Sequence, residues 1–254
     1  MRINQVKQAL AAGHLQLGTG FGQLRSPEIP RMLAAAGFQW AFLDTEHGGF
    51  DLETVQDICR VSLLCGLSPI VRVADLQYAL VARALDCGAQ GVIFPRVESP
   101  ELLERAISWT KFPPAGVRGY GLTAVQVDYE TLAFPQIVAH VNANTMVVLQ
   151  IETRKALEAR EELLAVPGID AVMIGPADLS ISLGVAGEFD HPRMIEAIEA
   201  VRESCNRRGI APGIQTRTAL LARFWKERGM RFLGCSHDSA MLFERAVELV
   251  KAIS

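Results

Sequence analysis

The sequence predicts a single (β/α)₈ TIM barrel, and three features predict it. Short apolar runs alternate with longer segments of helical periodicity, and eight such pairs fit into 254 residues, as this barrel requires. Several helical segments begin with Ser, Asp or Thr near Pro or Glu and end at Gly, which marks their boundaries. No domain boundary or internal repeat interrupts the pattern, so residues 1–254 are expected to form one domain.

The eight predicted strands are continuously apolar, as buried parallel strands are. They cover residues 15–20, 40–46, 68–73, 91–97, 145–152, 170–178, 210–215 and 231–237. The alternative is a doubly wound open sheet, which usually presents a Gly-rich phosphate loop after its first strand. Residues 18–24, GTGFGQL, resemble that loop only loosely, so the barrel is the prediction. A long insertion, residues 111–144, is predicted to begin as a loop over the barrel mouth.

Composition excludes several classes of partner. The chain has 25 Lys and Arg against 28 Asp and Glu, with a net charge of −3 and no basic run, so neither nucleic acid nor a membrane surface is expected as a partner. The five cysteines form no CxxC pair, which predicts free, reduced thiols. No signal peptide or membrane span is recognisable, so a cytoplasmic location is expected.

Two carboxylates near the ends of consecutive predicted strands are the main candidates for a metal site. Glu152 ends the apolar run MVVLQIE, and Asp178 ends AVMIGPAD. Buried acids are costly unless a cation or hydrogen bonds compensate them, and adjacent strands lie about 4.8 Å apart. Two hard oxygen donors without Cys or paired His suit Mg²⁺, Mn²⁺ or Co²⁺. The alternative is a structural pair held by Arg or by helix N-termini.

Further polar residues are predicted at the same end of the barrel, where active sites of this fold lie. Asp44 could orient the ring of His47 as a general base. Arg72 is predicted to bind either a substrate oxyanion or, structurally, Asp44 or Glu46. Asp44, Glu46 and Arg72 lie at the carboxyl ends of the second and third predicted strands, and His47 directly follows the second.

The fifth, sixth and eighth predicted strands end in polar residues as well. Gln150 shares a strand face with the metal candidate two positions later, and the amides of Ala177 and Asp178 could hold a carboxylate. His237 and Asp238 could form a dyad, although capping of the last helix by Asp238 is the simpler interpretation.

Taken in order and spacing, these segments resemble the HpcH/HpaI aldolase/citrate lyase family, and within it the metal-dependent class II pyruvate aldolases. The resemblance covers nearly the whole chain. The segments that carry it are LDTEHG, the arginine of PIVRV, ALDCGAQGVIFPRVES, VLQIET and DAVMIGPADLS.

The resemblance implies a function and a set of roles. It implies reversible cleavage of a 4-hydroxy-2-oxo acid to pyruvate and an aldehyde, with a divalent metal held by Glu152 and Asp178. Pyruvate would bind the metal through its carboxylate and keto oxygens. The implied roles of the other residues are proton transfer for His47 with Asp44 beside it, contact with the keto or enolate oxygen for Arg72, lining of the site for Gln150, and binding of the carboxylate for the amides of Ala177 and Asp178.

The resemblance also implies an assembly. Asp86 would reach the histidine of a neighbouring subunit, in a homo-oligomer, commonly a hexamer built as a trimer of dimers with exchanged C-terminal helices. The sequence departs from the family on the aldehyde side, where it reads RGYGLTAVQVDY in the insertion and CSHDSAML at the eighth strand. Arg118 is the first candidate there for binding an anionic aldehyde.

Two other functions remain open from the sequence. A related carbon–carbon enzyme, such as an oxaloacetate decarboxylase or a citrate-forming or citrate-cleaving enzyme, would need the same enolate. A ligand-binding barrel without catalysis is the other alternative. No lysine is placed at a strand end to form a Schiff base, which argues against a class I mechanism.

Overall fold

The computed structural model describes residues 1–254, and its core is a closed barrel of eight parallel strands that follow one another in sequence order. The first strand pairs with the eighth to close the barrel. The predicted fold and number of strands are therefore confirmed. The strands are β1 (Gln16–Phe21), β2 (Trp40–Asp44), β3 (Ser68–Arg72), β4 (Gly91–Phe94), β5 (Met146–Ile151), β6 (Ala171–Ile174), β7 (Gly213–Thr216) and β8 (Phe232–His237).

Helices surround the barrel, and side-chain oxygens cap several of their N-termini, as Asp51 does for the helix after β2. The helices are α1 (Gln5–Ala11), α2 (Ile29–Ala36), α3 (Leu52–Cys65), α4 (Tyr78–Asp86), α5 (Pro100–Ser108), α6 (Phe134–Asn144), α7 (Arg154–Glu158), α8 (Arg160–Leu163), α9 (Pro176–Ser182), α10 (Pro192–Arg207), α11 (Ala219–Glu227) and α12 (Asp238–Ile253). A short 3₁₀ helix covers Ala124–Val127. A membrane-crossing helix, which must be both long and apolar, does not occur among them.

Two hydrophobic layers hold the fold together. A cluster of 42 buried residues fills the space between the strands and the helices. A second cluster of 12 residues lies mainly inside the barrel, where the rings of Trp40 and Phe232 stack with centroids 4.0 Å apart. The barrel interior is therefore packed with side chains below the mouth, so any chemistry is confined to the strand ends.

The insertion between β4 and β5 does not cover the barrel mouth, so that prediction was wrong. Lys111 donates to the carbonyl of Thr145 at 2.9 Å, directly before β5 begins. Farther along, Asp128 pairs with Arg2 at 3.2 Å. Both contacts lie at the amino-terminal end of the barrel. Local composition indicates a loop, but it does not determine which end of the barrel the loop crosses.

Candidate active site

Asp44 and Arg72 form a two-bonded ion pair at the carboxyl ends of β2 and β3, where they are direct register partners. Arg72 Nε donates to Asp44 Oδ1 at 3.0 Å, and Nη2 donates to Oδ2 at 2.6 Å. The two residues are 7% and 9% exposed. Of the two partners predicted for Arg72, a substrate oxyanion or a carboxylate of the chain, the structure shows the carboxylate of Asp44.

Both partners of this pair carry their charge at neutral pH. Burial alone would raise the pKa of Asp44, but the guanidinium of Arg72 and the amides of His47 and Glu46 outweigh it, and the net pKa is below its usual value. Burial would lower the pKa of Arg72, but the Asp44 carboxylate outweighs it and raises that pKa. The pair is a fixed, ionised element at the floor of the mouth.

His47 is close to Asp44 in the chain, but its ring does not contact that carboxylate. Asp44 Oδ1 accepts a hydrogen bond from the main-chain amide of His47 at 3.1 Å. The ring instead lies with Nε2 at 3.8 Å from Glu46 Oε1, and the side chain is 62% exposed. The expectation that Asp44 orients the His47 ring is wrong for the single chain, because Arg72 already occupies both oxygens of Asp44.

Glu152 follows β5 and is the most deeply buried acid of the site, at 2% exposure. Its Oε1 accepts from the main-chain amide of Arg96 at 2.9 Å, and its Oε2 accepts from the side-chain amide of Gln150. Burial raises the pKa of Glu152 despite these bonds, and the charges of Glu46 and Asp178 raise it further. Negative charge is therefore concentrated here.

The turn between β6 and α9 faces Glu152. A Cβ added to Gly175 would lie 2.8 Å from Glu152 Oε2, so glycine leaves the space that the carboxylate occupies. Asp178 is in the first turn of α9, and its carboxylate makes no hydrogen bond or ion pair within the chain, so capping does not explain it. The amides of Ala177 and Asp178 belong to that first turn, where N–H groups have no acceptor inside the helix.

This set of oxygens fits a hard divalent cation. Glu152 and Asp178 follow neighbouring strands, and no Cys or His accompanies them. Arg72, the nearby cation, is already bound to Asp44 and lies 3.3 Å from Glu46. Gln150 Oε1 is buried without a hydrogen-bond partner. No cluster of three or more His, Cys, Asp or Glu stands ready to enclose a metal, so an ion here would keep positions open for water or substrate.

Asp86 does not join this cluster within one chain. It ends α4, which leads from β3 to the start of β4, so it lies at the opposite end of the barrel from His47. Arg118 Nη2 donates to Asp86 Oδ1 at 2.6 Å. Arg118 is 3% exposed, and its guanidinium lies 4.9 Å from the centre of the Phe112 ring. Arg118 is therefore not at the mouth, and its predicted contact with an anionic aldehyde does not occur in the chain.

Two features of the site were not assigned from the sequence. Glu46, which had no definite role, lies with Oε2 at 3.3 Å from Arg72 Nη1, and burial raises its pKa even though Arg72 lowers it. Arg96 contributes its amide rather than its side chain, and its backbone has a φ of 55°, which is uncommon for a residue other than glycine. A positive φ cannot be recognised from an arginine in the sequence, whereas a glycine would have suggested it.

The sequence of this chain is similar to those of known proteins over almost its whole length. The family model described as "HpcH/HpaI aldolase/citrate lyase" matches residues 20–240. The chain belongs to the HpcH/HpaI aldolase/citrate lyase family. A curated relative from Escherichia coli, named 4-hydroxy-2-oxo-heptane-1,7-dioate aldolase, is 34% identical over 249 residues, which cover 98% of this chain and 94% of the relative.

Solved structures of HpcH/HpaI proteins show the same architecture over the full chain. An HpcH/HpaI aldolase from Desulfitobacterium hafniense is 33% identical and superposes with a TM-score of 0.94, covering 99% of this chain and 97% of that one. A family protein from Burkholderia cenocepacia is 30% identical with a TM-score of 0.90, covering 98% and 99%. Membership of the HpcH/HpaI family therefore places this chain among carbon–carbon bond enzymes.

Proposed function

We propose that this HpcH/HpaI protein is a class II aldolase that reversibly cleaves a 4-hydroxy-2-oxo acid to pyruvate and an aldehyde. The observation that carries the proposal is the pair of carboxylates at neighbouring strand ends, Glu152 buried and Asp178 without a protein partner, beside a fixed arginine. Held by these two carboxylates, a divalent cation such as Mg²⁺, Mn²⁺ or Co²⁺ would supply Lewis acidity that stabilises enolate charge.

The groups around this pair suit the pyruvate half of the substrate. Arg72 has N–H groups aimed by its bonds to Asp44, and such a fixed donor stabilises the charge that develops on an enolate oxygen. The amides of Ala177 and Asp178 would receive the carboxylate. Gln150 lines the floor and, by donating to Glu152, keeps one carboxylate oxygen oriented.

His47 is the candidate for proton transfer. Its side chain is exposed, and its main-chain amide is fixed by Asp44, so the ring can reach a hydroxyl above the mouth. In the cleavage direction it would take the proton from the 4-hydroxyl as the C3–C4 bond breaks, and it would return that proton in the synthetic direction. In this role Asp44 positions the loop of His47 rather than its ring.

Removal of divalent metal tests the proposal directly. After EDTA treatment and gel filtration, pyruvate formation from a 4-hydroxy-2-oxo acid should fall to background, because Lewis-acid stabilisation is worth several kcal/mol. Added Mg²⁺, Mn²⁺ or Co²⁺ should restore it, and Ca²⁺, which prefers a larger and more flexible coordination shell, should restore it less. Full activity of the metal-free protein would contradict the proposal.

Oxaloacetate decarboxylation is the competing activity, because it forms the same pyruvate enolate without an aldehyde. The family description names citrate lyase beside aldolase, so the family includes carbon–carbon enzymes that are not aldolases. The two are separated by following aldehyde and pyruvate together. A protein that releases pyruvate from oxaloacetate but neither forms nor consumes any 4-hydroxy-2-oxo acid would be a decarboxylase.

We further propose that the enzyme is a homo-oligomer in which α12 packs on another subunit. Within the chain, Asp238 is the one buried residue of α12, while Leu242, Phe243, Val250 and Ile253 are 60%, 70%, 65% and 84% exposed. Such a contiguous apolar face marks an interface. The hexamer and the approach of Asp86 to a neighbouring His47 belong to this proposal.

The proposed assembly has a simple test. Light scattering after size-exclusion chromatography should give a mass several times 27.7 kDa. A Phe243→Ser, Val250→Ser variant should elute at a lower mass and lose most activity, while the exposed polar change Glu244→Gln on the same helix should alter neither. A monomeric wild type with full activity would refute both the assembly and the shared site.

A further inference from the structure

His237 occupies a place at the barrel mouth that the pyruvate site does not use. β8 carries a bulge before it: Gly18 pairs with Gly234, but Gly20 pairs with His237. Ser236, in the bulge, has a φ of 61°. Its carbonyl accepts from Thr19 Oγ1 at 3.2 Å and from Gln215 Nε2 at 2.8 Å. Bulges beside active sites re-aim side chains, and this one is held by two hydrogen bonds.

The neighbouring strand makes room for the ring. A Cβ on Gly20 would overlap with Nδ1 and Cε1 of His237, so the ring takes the volume that any other residue on β1 would fill. The φ of Gly20 is not in the left-handed region. Glycine at position 20 is thus explained by close approach rather than by backbone conformation.

The ring packs against Phe42, close enough to the Asp44–Arg72 pair for both charges to act on its pKa. Its edge meets the Phe42 ring, with centroids 5.9 Å apart at 80°, and the guanidinium of Arg72 lies 5.6 Å from the centre of the same Phe42 ring. Neither ring nitrogen of His237 hydrogen-bonds within the chain, and Asp238 is engaged elsewhere by the amides of residues 22–24. His237 and Asp238 therefore form no dyad.

The imidazole is neutral near pH 7 and offers both a donor and an acceptor. Burial lowers the pKa of His237, and the charges of Arg72 and Arg217 lower it as well, against the opposing effects of Asp238 and Asp44. A partly buried polar ring at the barrel mouth that has no protein partner is available to a ligand.

We propose that His237 hydrogen-bonds a polar substituent, such as a 2-hydroxyl, on the aldehyde half of the substrate and selects for acceptors that carry one. This inference rests on the proposed aldolase function. β8 and β1 lie across the barrel from β5, so His237 is on the side away from Glu152. A site built to bond a hydroxyl discriminates against the analogue that lacks it.

The test compares two acceptors that differ by one hydroxyl, lactaldehyde and propanal, in condensation with pyruvate and Mg²⁺. The His237→Ala variant should lose about tenfold in kcat/KM for lactaldehyde, the equivalent of about 1.4 kcal/mol. For propanal it should stay within about threefold of the wild type. His237→Gln, which retains a donor and an acceptor, should recover part of the preference.

Deuterium exchange at the methyl group of pyruvate, without aldehyde, separates this proposal from the function it rests on. Wild type and His237→Ala should exchange at the same rate; no exchange by the wild type would mean that the aldolase proposal has failed. Equal losses for both acceptors, or no loss for lactaldehyde, would overturn the role of His237. Slower exchange by His237→Ala would also overturn it, because the residue would then serve the pyruvate half.

Gly20 provides an independent variant. Gly20→Ala displaces the ring, so it should reduce the lactaldehyde preference as His237→Ala does. The double variant should be no worse than either single change, since the ring is then absent. Thermal unfolding of each variant establishes that it is folded, and additive losses in the double variant would contradict the proposed contact.

Discussion

Replacing Glu152 with Gln is expected to abolish metal binding and reduce turnover by about a thousandfold, since the loss of several kcal/mol of charge stabilisation corresponds to that factor. Gln has the same shape, so the hydrogen bond from the Arg96 amide can persist and the fold should survive. Titration calorimetry with Mn²⁺ and steady-state kinetics provide the two readouts.

Glu98 supplies the matched control for Glu152. It lies just beyond β4 and its side chain is 34% exposed; it bonds the Thr153 hydroxyl at 2.8 Å and pairs with Lys155 at 3.3 Å. Glu98→Gln removes one negative charge near the site but not a proposed ligand, so Mn²⁺ affinity should change little. Normal Mn²⁺ binding by Glu152→Gln would show that the buried carboxylate is structural.

Replacing Arg72 with Ala is expected to cost stability as well as activity. Asp44 and Glu46 would be left buried without their cation, and breaking a buried pair by removing one partner costs about 3–5 kcal/mol. Arg72→Lys keeps the charge but not the two parallel bonds, so it should fall between wild type and Ala. Urea unfolding measures the first effect, and kcat with saturating metal measures the second.

The Asp44 side of this pair sets the direction of the pH dependence. The pKa of Asp44 is lowered below 3.8 in the folded protein, so its stabilising contribution is present above that value and is lost as the pH falls through the folded pKa. The stability difference between wild type and Asp44→Asn should therefore be full at pH 7 and shrink below about pH 3.8. If the stability difference between wild type and Asp44→Asn does not change with pH, the pair does not act as a unit. The same conclusion follows if the stability losses of Arg72→Ala and Asp44→Asn add in the double variant.

The barrel could be predicted from the sequence because its strands are local patterns. Each is a short apolar run closed by Gly, Pro or a polar residue, and seven of the eight predicted strand starts lie within one residue of the observed ones; the exception is β7, which starts at Gly213 rather than 210. The path of residues 111–144 could not be predicted this way. It depends on contacts far apart in the chain, such as Lys111 with Thr145.

The sequence predicted which residues form the site better than it predicted which of them contact each other. Asp44, Arg72, Gln150 and Glu152 meet as expected, because the carboxyl ends of parallel strands share one edge. The partner of each group was harder to predict. Arg72 rather than His47 takes both oxygens of Asp44, and the position of His237 depends on a bulge at Ser236, which no spacing in the sequence reveals.

Asp238 connects the loop after β1 to the start of α12. Its carboxylate accepts from the amides of Gly22, Gln23 and Leu24, the shortest at 2.7 Å, and from Ser239 at the start of α12. The residue beside His237 thus joins the rim after β1 to the helix proposed to pack on another subunit. Substitutions in residues 22–24 that are selected for new aldehydes would also affect assembly, because the amides of these residues bind the residue at which α12 begins. A screen that measures both product formation and oligomer mass would separate effects on the reaction from effects on assembly.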